Sequence, residues 1–176
     1  LFQNYWSSME KQVYKGQIAE VTEEVIGGIN WERVYLPSGV IIYPINEKGQ
    51  VLMVEEKRPH ENPPVRIKPV SGILGPDKGS PAENAQREMQ EEIGFKAATL
   101  ENFWTMKASG TVNNEQYFFV ARDLIPSKFP NPDGEDTIMS IKAFELEELK
   151  EKFMNDEIRW SMSTLGFFRL LKHLSK

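Results

Sequence analysis

One short segment of the chain concentrates carboxylates. Four glutamates and one arginine fall within residues 83–92. On a helix, Glu88 and Glu92 are one turn apart, so their carboxylates point to one spot, and Glu91 lies beside them. Like charges at this spacing repel each other, and a divalent hard cation such as Mg²⁺ would compensate because it binds carboxylate oxygens. The alternative is a solvated acidic helix face, the commoner structure for a run of charges.

Four basic residues precede this segment. They are Lys57, Arg58, Arg66 and Lys68, set against the single acidic residue Glu61 between them. Guanidinium groups bind phosphate oxygens through two parallel hydrogen bonds, so a basic segment beside an acidic helix suits a complex of metal ions with a diphosphate. Taken alone, the basic segment is equally consistent with a solvated loop.

The helix that must carry the glutamates has clear ends. Ser80 is placed as its N-cap, Pro81 as its first residue, and Glu83 completes a capping box. Gly94 is expected to end the helix. Its buried stripe is predicted to consist of Ala82, Ala85, Met89 and Ile93.

Strands are predicted around this helix, and two more helices follow. The predicted strands are residues 12–25, 31–36, 40–45, 51–55, 100–106, 116–121 and 137–144. The predicted C-terminal helices are residues 146–154 and 162–174. Residues 59–69 contain four prolines and are expected to be a loop with at most an edge strand. This order indicates an α/β (α+β) sandwich, in which the first strands could form a small separate sheet.

Composition excludes several classes of protein. Of the 176 residues, 40% are hydrophobic and none is cysteine, so a disordered chain, a disulfide scaffold and thiolate chemistry are excluded. The formal charge of -5 argues against nucleic acid as a partner. No apolar run reaches the ~20 residues of a membrane span, and no signal-peptide pattern is present, so we expect a cytoplasmic protein with no membrane partner. We also expect that Met9 is the native start and that residues 1–8 are an appended tail.

The string Arg-Glu-Met-Gln-Glu-Glu-Ile-Gly-Phe at residues 87–95 resembles the core of the Nudix box. It matches every specified position of the pattern R-E-apolar-x-E-E-x-G-apolar. The front half of the box departs from the family pattern. Gly79 stands where the family has a glutamate, and Gly72 comes one residue too early, so the intervening loop carries an extra residue. Asp77 is a nearby acid that could compensate.

The flanking segments resemble the ADP-ribose and nucleoside-diphosphate-sugar pyrophosphatases of the Nudix family. Residues 51–59 are similar to the strand before the box in that branch, where an arginine at the place of Arg58 meets the substrate phosphates. The resemblance implies a Nudix-type α/β/α sandwich with a mixed sheet over residues 37–176. It also implies that residues 9–36 form a small antiparallel sheet that builds a homodimer.

The resemblance also implies a set of site residues. The expected ligands of Mg²⁺ or Mn²⁺ are Glu88, Glu92, Glu91 and the backbone carbonyl of Ser71. The expected catalytic residues are Glu135 as general base, Glu91, and Arg87, which would pair with a glutamate and orient it. Asp136 and a helix glutamate are the second and third choices of base. The expected substrate contacts are Arg58 and Gly72. Trp31 is added from its residue type, because its aromatic face could stack on a nucleobase, although a core or interface position is the commoner one for such a residue.

The activity implied is metal-dependent hydrolysis of a nucleoside diphosphate linked to a sugar. The products would be a nucleoside monophosphate and a sugar phosphate. Three alternatives remain open at this point. They are a hydrolase of nucleoside triphosphates or dinucleoside polyphosphates, a non-catalytic nucleotide-binding Nudix module, which Gly79 favours, and an acidic helix with a purely structural role.

Overall fold

The computed structural model describes residues 9–75, 79–108, 110–129 and 137–176. Four of the sequence-based predictions therefore lie outside the described residues. They concern the tail at residues 1–8, Asp77, Glu135 and Asp136.

Three α-helices are present in the described part of the chain, and all three were predicted. They are α1 (Pro81–Glu92), α2 (Leu146–Met154) and α3 (Ser161–Leu174). The capping box of α1 is confirmed: the Ser80 hydroxyl accepts from the Glu83 backbone N–H at 3.2 Å, and the Glu83 carboxylate accepts from the Ser80 N–H at 2.7 Å. After the helix, Gly94 adopts a φ of +75°, a left-handed conformation that favours glycine.

The described residues form eleven strands. They are β1 (Lys11–Lys15), β2 (Glu20–Ile26), β3 (Ile29–Tyr35), β4 (Gly39–Pro44), β5 (Val51–Lys57), β6 (Val65–Lys68), β7 (Val70–Ile73), β8 (Phe95–Lys107), β9 (Val112–Asn113), β10 (Glu115–Pro126) and β11 (Ile138–Phe144). The predicted strand at 12–25 is two strands, because the chain turns between Gly16 and Ala19. Strands β7 and β9 were not predicted.

The strands pair into three sheets. The first has the order β7-β4-β10-β8 and is mixed, because β4 and β10 run parallel while the outer pairs are antiparallel. The second, β11-β5-β6, is antiparallel. The third contains β1, β2 and β3 in antiparallel order, and the short β9 adds to β3 in parallel.

The central strands are buried on both faces, which explains their continuous apolar sequence. Alternate residues of β4, β5 and β10 point to opposite layers. Those packed towards α1 are Val40, Ile42, Leu52, Val54, Phe119 and Ala121. Those packed towards α2 and α3 are Ile41, Tyr43, Val51, Met53, Phe118 and Val120. The predicted α/β/α sandwich with a mixed sheet is therefore confirmed.

The buried side of α1 differs from the prediction in two ways. Ala85, Met89 and Ile93 are buried as expected, but Ala82 is exposed because it lies in the first turn, where the helix begins. The helix also buries two polar residues, Asn84 and Glu88, whose side chains face the site described next.

Candidate active site

Side chains alternate between the two faces of a strand, and on β5 and β6 this places charged side chains on the face of the sheet that packs against α1. Glu56 follows Leu52 and Val54 in the same alternating set, so it points towards α1. On β6, Arg66 lies opposite Glu56 and Lys68 lies opposite Val54. Glu56 and Lys68 are only 5% and 1% exposed, respectively.

Lys68 is an internal partner for the helix carboxylate Glu92. Its ammonium donates to Glu92 Oε1 at 2.8 Å and to the Ser71 hydroxyl at 3.0 Å. The other oxygen of Glu92 accepts from the Ser71 backbone N–H at 3.3 Å. Burial raises the pKa of Glu92, and the charge and hydrogen bond of Lys68 oppose that rise.

Arg87 holds the other two glutamates of the helix. Its guanidinium donates to both oxygens of Glu91, at 2.9 and 2.8 Å, and to Glu88 Oε1 at 2.7 Å. It also donates to the side-chain oxygen of the buried Asn84. The repulsion between the helix carboxylates is thus compensated by Arg87 and Lys68, so it does not by itself require a metal ion.

Glu88 lies against the backbone of β7. A Cβ atom added to Gly72 would come within 2.1 Å of the Glu88 carboxyl carbon, a distance that real Cβ atoms do not show. Gly72 therefore leaves the space that the Glu88 carboxylate fills. The same contact places Glu88 next to Ser71, the residue whose carbonyl is an expected metal ligand.

Two arginines share one buried carboxylate at the entrance of the site. Glu56 accepts from Arg58 Nε at 2.8 Å and from Arg66 Nε at 3.2 Å. Arg66 also pairs with Glu61 at 3.1 Å, and its guanidinium lies 5.2 Å from the centre of the Trp160 ring. Both guanidinium groups are thereby fixed in position while remaining partly exposed.

A cleft of about 240 Å³ joins these groups. Its charged lining residues are Glu56, Arg58, Arg66, Lys68 and Glu92. Ser71, Gly72, Gln116 and Trp160 complete the polar and aromatic parts of the wall. A neighbouring cavity of about 480 Å³ shares Arg66 and Trp160 with the cleft, so a ligand larger than a diphosphate could extend into it.

Comparison with known proteins identifies the family of this fold and site. The family model described as NUDIX domain matches residues 35–164. The chain belongs to the Nudix family. It is accordingly a Nudix pyrophosphohydrolase, as the box at residues 87–95 implied. No curated protein sequence matches the chain at a significant level.

The Nudix fold is also found in a solved structure described as "Crystal structure of ADP compounds hydrolase". That structure matches with a TM-score of 0.81 over 98% of this chain and 95% of its own chain. The sequences are 17% identical, so the likeness concerns the fold. In the described residues, no helix is long and apolar enough to cross a membrane.

The departure of this Nudix box at Gly79 has a structural reason. Gly79 adopts a φ of +74°, and a Cβ atom there would lie 2.7 Å from the Glu83 carboxylate. A glutamate at this position would therefore be strained and would crowd the capping box of α1. Glycine at this position permits the turn into α1, whereas a glutamate would add a carboxylate but would disfavour that turn.

The donor atoms of this Nudix site suit a hard divalent cation. Glu88, Glu91, Glu92 and the carbonyl of Ser71 supply oxygen ligands only, which is the donor type that Mg²⁺ and Mn²⁺ prefer. As the side chains stand, no group of three or more acidic, histidine or cysteine residues within the described ranges is arranged to hold a metal ion. The reason is that Arg87 and Lys68 draw the three carboxylates towards themselves.

Among the described residues, the structure brings together the expected site residues of this Nudix chain with one exception. Arg58, Gly72 and Ser71 line the cleft, and Arg87 contacts two helix glutamates. Trp31 instead lies on β3, 52% exposed, and is not among the residues that line the cleft. Its position in the third sheet separates it from the site within one copy of the chain.

Several functional candidates were not foreseen from the sequence. Glu56 and Trp160 line the cleft without having been assigned a role, and Arg66 and Lys68 were predicted only as members of the basic segment, without individual contacts. The alternation of β6 could have placed Arg66 and Lys68 on one face, but the prolines on either side of this strand favoured a loop. No sequence signal connects Trp160 to the site, because it comes from the N-cap of α3.

Proposed function

We propose that this Nudix chain hydrolyses the diphosphate of a nucleoside diphosphate linked to a sugar, in a reaction that depends on Mg²⁺ or Mn²⁺. The observation that carries the proposal is the pair of arginines held by Glu56 beside the helix carboxylates. Arg58 and Arg66 supply planar donors for the outer phosphate oxygens. On α1, Glu92 lines the same cleft, and Glu88 and Glu91, within one turn of it on the helix, would supply further ligands for cations.

Each residue has a separate task in this proposal. Glu88, Glu91, Glu92 and the carbonyl of Ser71 would hold the divalent ions. When bound, such ions polarise the bridging diphosphate and lower the pKa of an attacking water. Arg87 orients Glu88 and Glu91 through the hydrogen bonds described above. Glu135, which lies outside the described residues, is proposed as the base that accepts the proton of that water.

The substrate class rests on the shape of the site. A nucleoside diphosphate sugar has a group on each side of its diphosphate, and the cleft continues from Arg66 and Trp160 into the larger cavity. The structural neighbour, described as an ADP compounds hydrolase, supports ADP-ribose as the first compound to test. Trp160 offers an aromatic face for a base or sugar at this junction.

We propose that the chain works as a homodimer through its third sheet. Strands β1 to β3 and β9 leave large apolar side chains exposed. They include Val13, Tyr14, Val25, Ile29, Trp31, Tyr35 and Val112. Burying such a patch against a second copy would remove apolar surface from water. Trp31 could contact substrate only if a second copy carries it to the cleft.

The cytoplasmic location stays a prediction.

The proposal is tested with a panel of phosphoanhydrides and Mg²⁺, with the products identified by ³¹P NMR. The panel contains ADP-ribose, UDP-glucose, ATP and diadenosine tetraphosphate. We expect AMP and ribose 5-phosphate from ADP-ribose, and no release without the metal. Preferred cleavage of ATP would indicate a nucleoside triphosphate hydrolase, and preferred cleavage of diadenosine tetraphosphate would indicate a dinucleoside polyphosphate hydrolase. Binding of all four compounds without turnover would indicate a nucleotide-binding module.

The metal assignment is tested in the same assay by Glu88→Gln, with Glu151→Gln as the control. Glu151 is an exposed glutamate on α2, so its substitution makes the same chemical change far from the cleft. We expect Glu88→Gln to lower turnover by two or more orders of magnitude and Glu151→Gln to leave it unchanged. Equal turnover in the two variants would contradict the assignment.

A further inference from the structure

Lys68 is the most deeply buried charged residue of the described cleft. Its side chain is 2% exposed, and its ammonium has two partners, Glu92 and Ser71. An ammonium at such a depth needs an opposite charge and hydrogen-bond acceptors, and Glu92 and Ser71 supply them. Strand pairing holds the lysine backbone in place, because Lys68 lies opposite Val54 in the β5–β6 ladder.

The ionised side chains of the described site are already paired with one another without any added ion. Its five carboxylates belong to Glu56, Glu61, Glu88, Glu91 and Glu92. Its four cations belong to Arg58, Arg66, Arg87 and Lys68. Among these cations, the lysine has the compact point charge that most resembles a metal ion, because a guanidinium spreads its charge over a plane.

We propose that the Lys68 ammonium takes the place of one divalent cation at Glu92. The site with Lys68 therefore binds one metal ion fewer than the same site without it. This inference rests on the proposed function, since it concerns the metal ions of that same site. Lys68 acts as a positioning residue: it fixes Glu92 and Ser71, which removes the Glu92 carboxylate from the ligand set proposed above and leaves Glu88 and Glu91 for the remaining ion or ions.

The hydrogen bonds of Glu92 explain why a metal ion would not displace Lys68. One oxygen of Glu92 accepts from the ammonium, and the other accepts from the Ser71 backbone N–H. A cation binding at Glu92 would come close to the ammonium, and the two positive charges would repel each other in a buried setting. Releasing Lys68 from Glu92 would leave its charge buried with only a hydroxyl as partner.

The number of bound ions tests the inference directly. Mn²⁺ binding is counted by electron paramagnetic resonance of free Mn²⁺, with and without the non-hydrolysable α,β-methylene-ADP. The variants are Lys68→Met, which keeps the length of the side chain without its charge, and Lys142→Met as the control. Lys142 pairs with Glu55 at 2.6 Å but is 41% exposed and does not line the cleft. We expect Lys68→Met to bind one more Mn²⁺ per chain than the wild type, and Lys142→Met to match the wild type.

A second measurement follows the Lys68 ammonium in the wild-type chain itself. With ¹⁵N-labelled lysine, a buried and hydrogen-bonded ammonium gives its own NMR signal, assigned by its loss in Lys68→Gln. We expect this signal to persist when Mg²⁺ is added to saturation. Its disappearance would show that the metal takes Glu92 from Lys68 and would overturn the inference.

The outcomes separate this inference from the proposed function. Equal Mn²⁺ numbers in the wild type and Lys68→Met would overturn the inference, while metal-dependent turnover by the wild type would leave the proposed function intact. If the wild type bound no Mn²⁺ and Lys68→Met bound one, the inference would hold and the metal dependence of the native chain would be lost.

Discussion

The carboxylate of Glu88 occupies the space beside Gly72 that a side chain would otherwise fill. A Cβ atom on Gly72 would come within 2.1 Å of its carboxyl carbon and 2.2 Å of Oε1. The contact joins α1 to β7, the two elements that carry the helix glutamates and the expected carbonyl ligand. Gly72 is therefore required by a close approach between a carboxylate and the backbone.

We predict that Gly72→Ala lowers turnover at least tenfold, because it displaces the Glu88 carboxylate. It should also destabilise the fold by about 1–3 kcal/mol, the usual cost of overpacking a filled site. Urea unfolding of the single variants and of Gly72→Ala combined with Glu88→Ala measures the coupling. If the contact is the cause, most of the cost of Gly72→Ala should vanish in the Glu88→Ala background. If the losses of unfolding free energy in the two single variants simply add up in the double variant, this explanation is contradicted.

We predict that Arg66→Lys raises the KM for ADP-ribose about tenfold or more with a smaller change in kcat. A lysine keeps the charge but loses the planar donors and the contact with the Trp160 ring. One hydrogen bond to a charged group contributes about 1.5–3 kcal/mol, which corresponds to this change in KM. Steady-state kinetics gives the two constants separately.

The matched control for this variant is Arg122→Lys. Arg122 lies on β10, and its guanidinium is 3.9 Å from Glu101, away from the cleft. Its substitution should leave KM unchanged. An equal rise in KM for both variants would mean that Arg66 has no specific contact with the substrate.

We predict that Gly79→Glu, which restores the glutamate of the family pattern, destabilises the chain and does not raise its activity. The left-handed backbone at Gly79 costs a residue with a side chain about 1–2 kcal/mol. The new side chain would also crowd Glu83. Thermal unfolding and turnover are compared with those of Gly79→Ala, which carries the same backbone strain without a carboxylate. Higher activity in Gly79→Glu than in Gly79→Ala would contradict the prediction.

The Nudix helix illustrates what local sequence determines. The start of α1 was predicted correctly because its capping residues act within one turn of the helix. They are Ser80, Pro81 and Glu83. Apolar runs such as residues 40–45 predicted strands, and the structure buries β4 on both faces. These features depend on neighbours in the chain and are therefore readable without the fold.

The partners inside the cleft depend on contacts between distant residues. Lys68 meets Glu92 across 24 positions, and Arg66 meets the Trp160 ring across an even longer separation. The sequence shows that cations precede the glutamates, but the register between β5 and β6 decides which cation faces which carboxylate. For this reason, the pairing of Arg87 with a glutamate of its own helix could be predicted, whereas the pairing of Lys68 with Glu92 could not.

The capping box provides a prediction about pH. Hydrogen bonds from Ser80 lower the pKa of Glu83, so the folded chain favours the ionised carboxylate more than the unfolded chain does. Stability from this group is therefore present above the unfolded pKa, near 4.5, and is lost as the pH falls through the lower folded value. We expect Glu83→Gln to be less stable than the wild type in urea at pH 7, and the difference to shrink as the pH approaches 3. A stability difference that stays constant over this pH range would exclude ionisation of Glu83 as its cause.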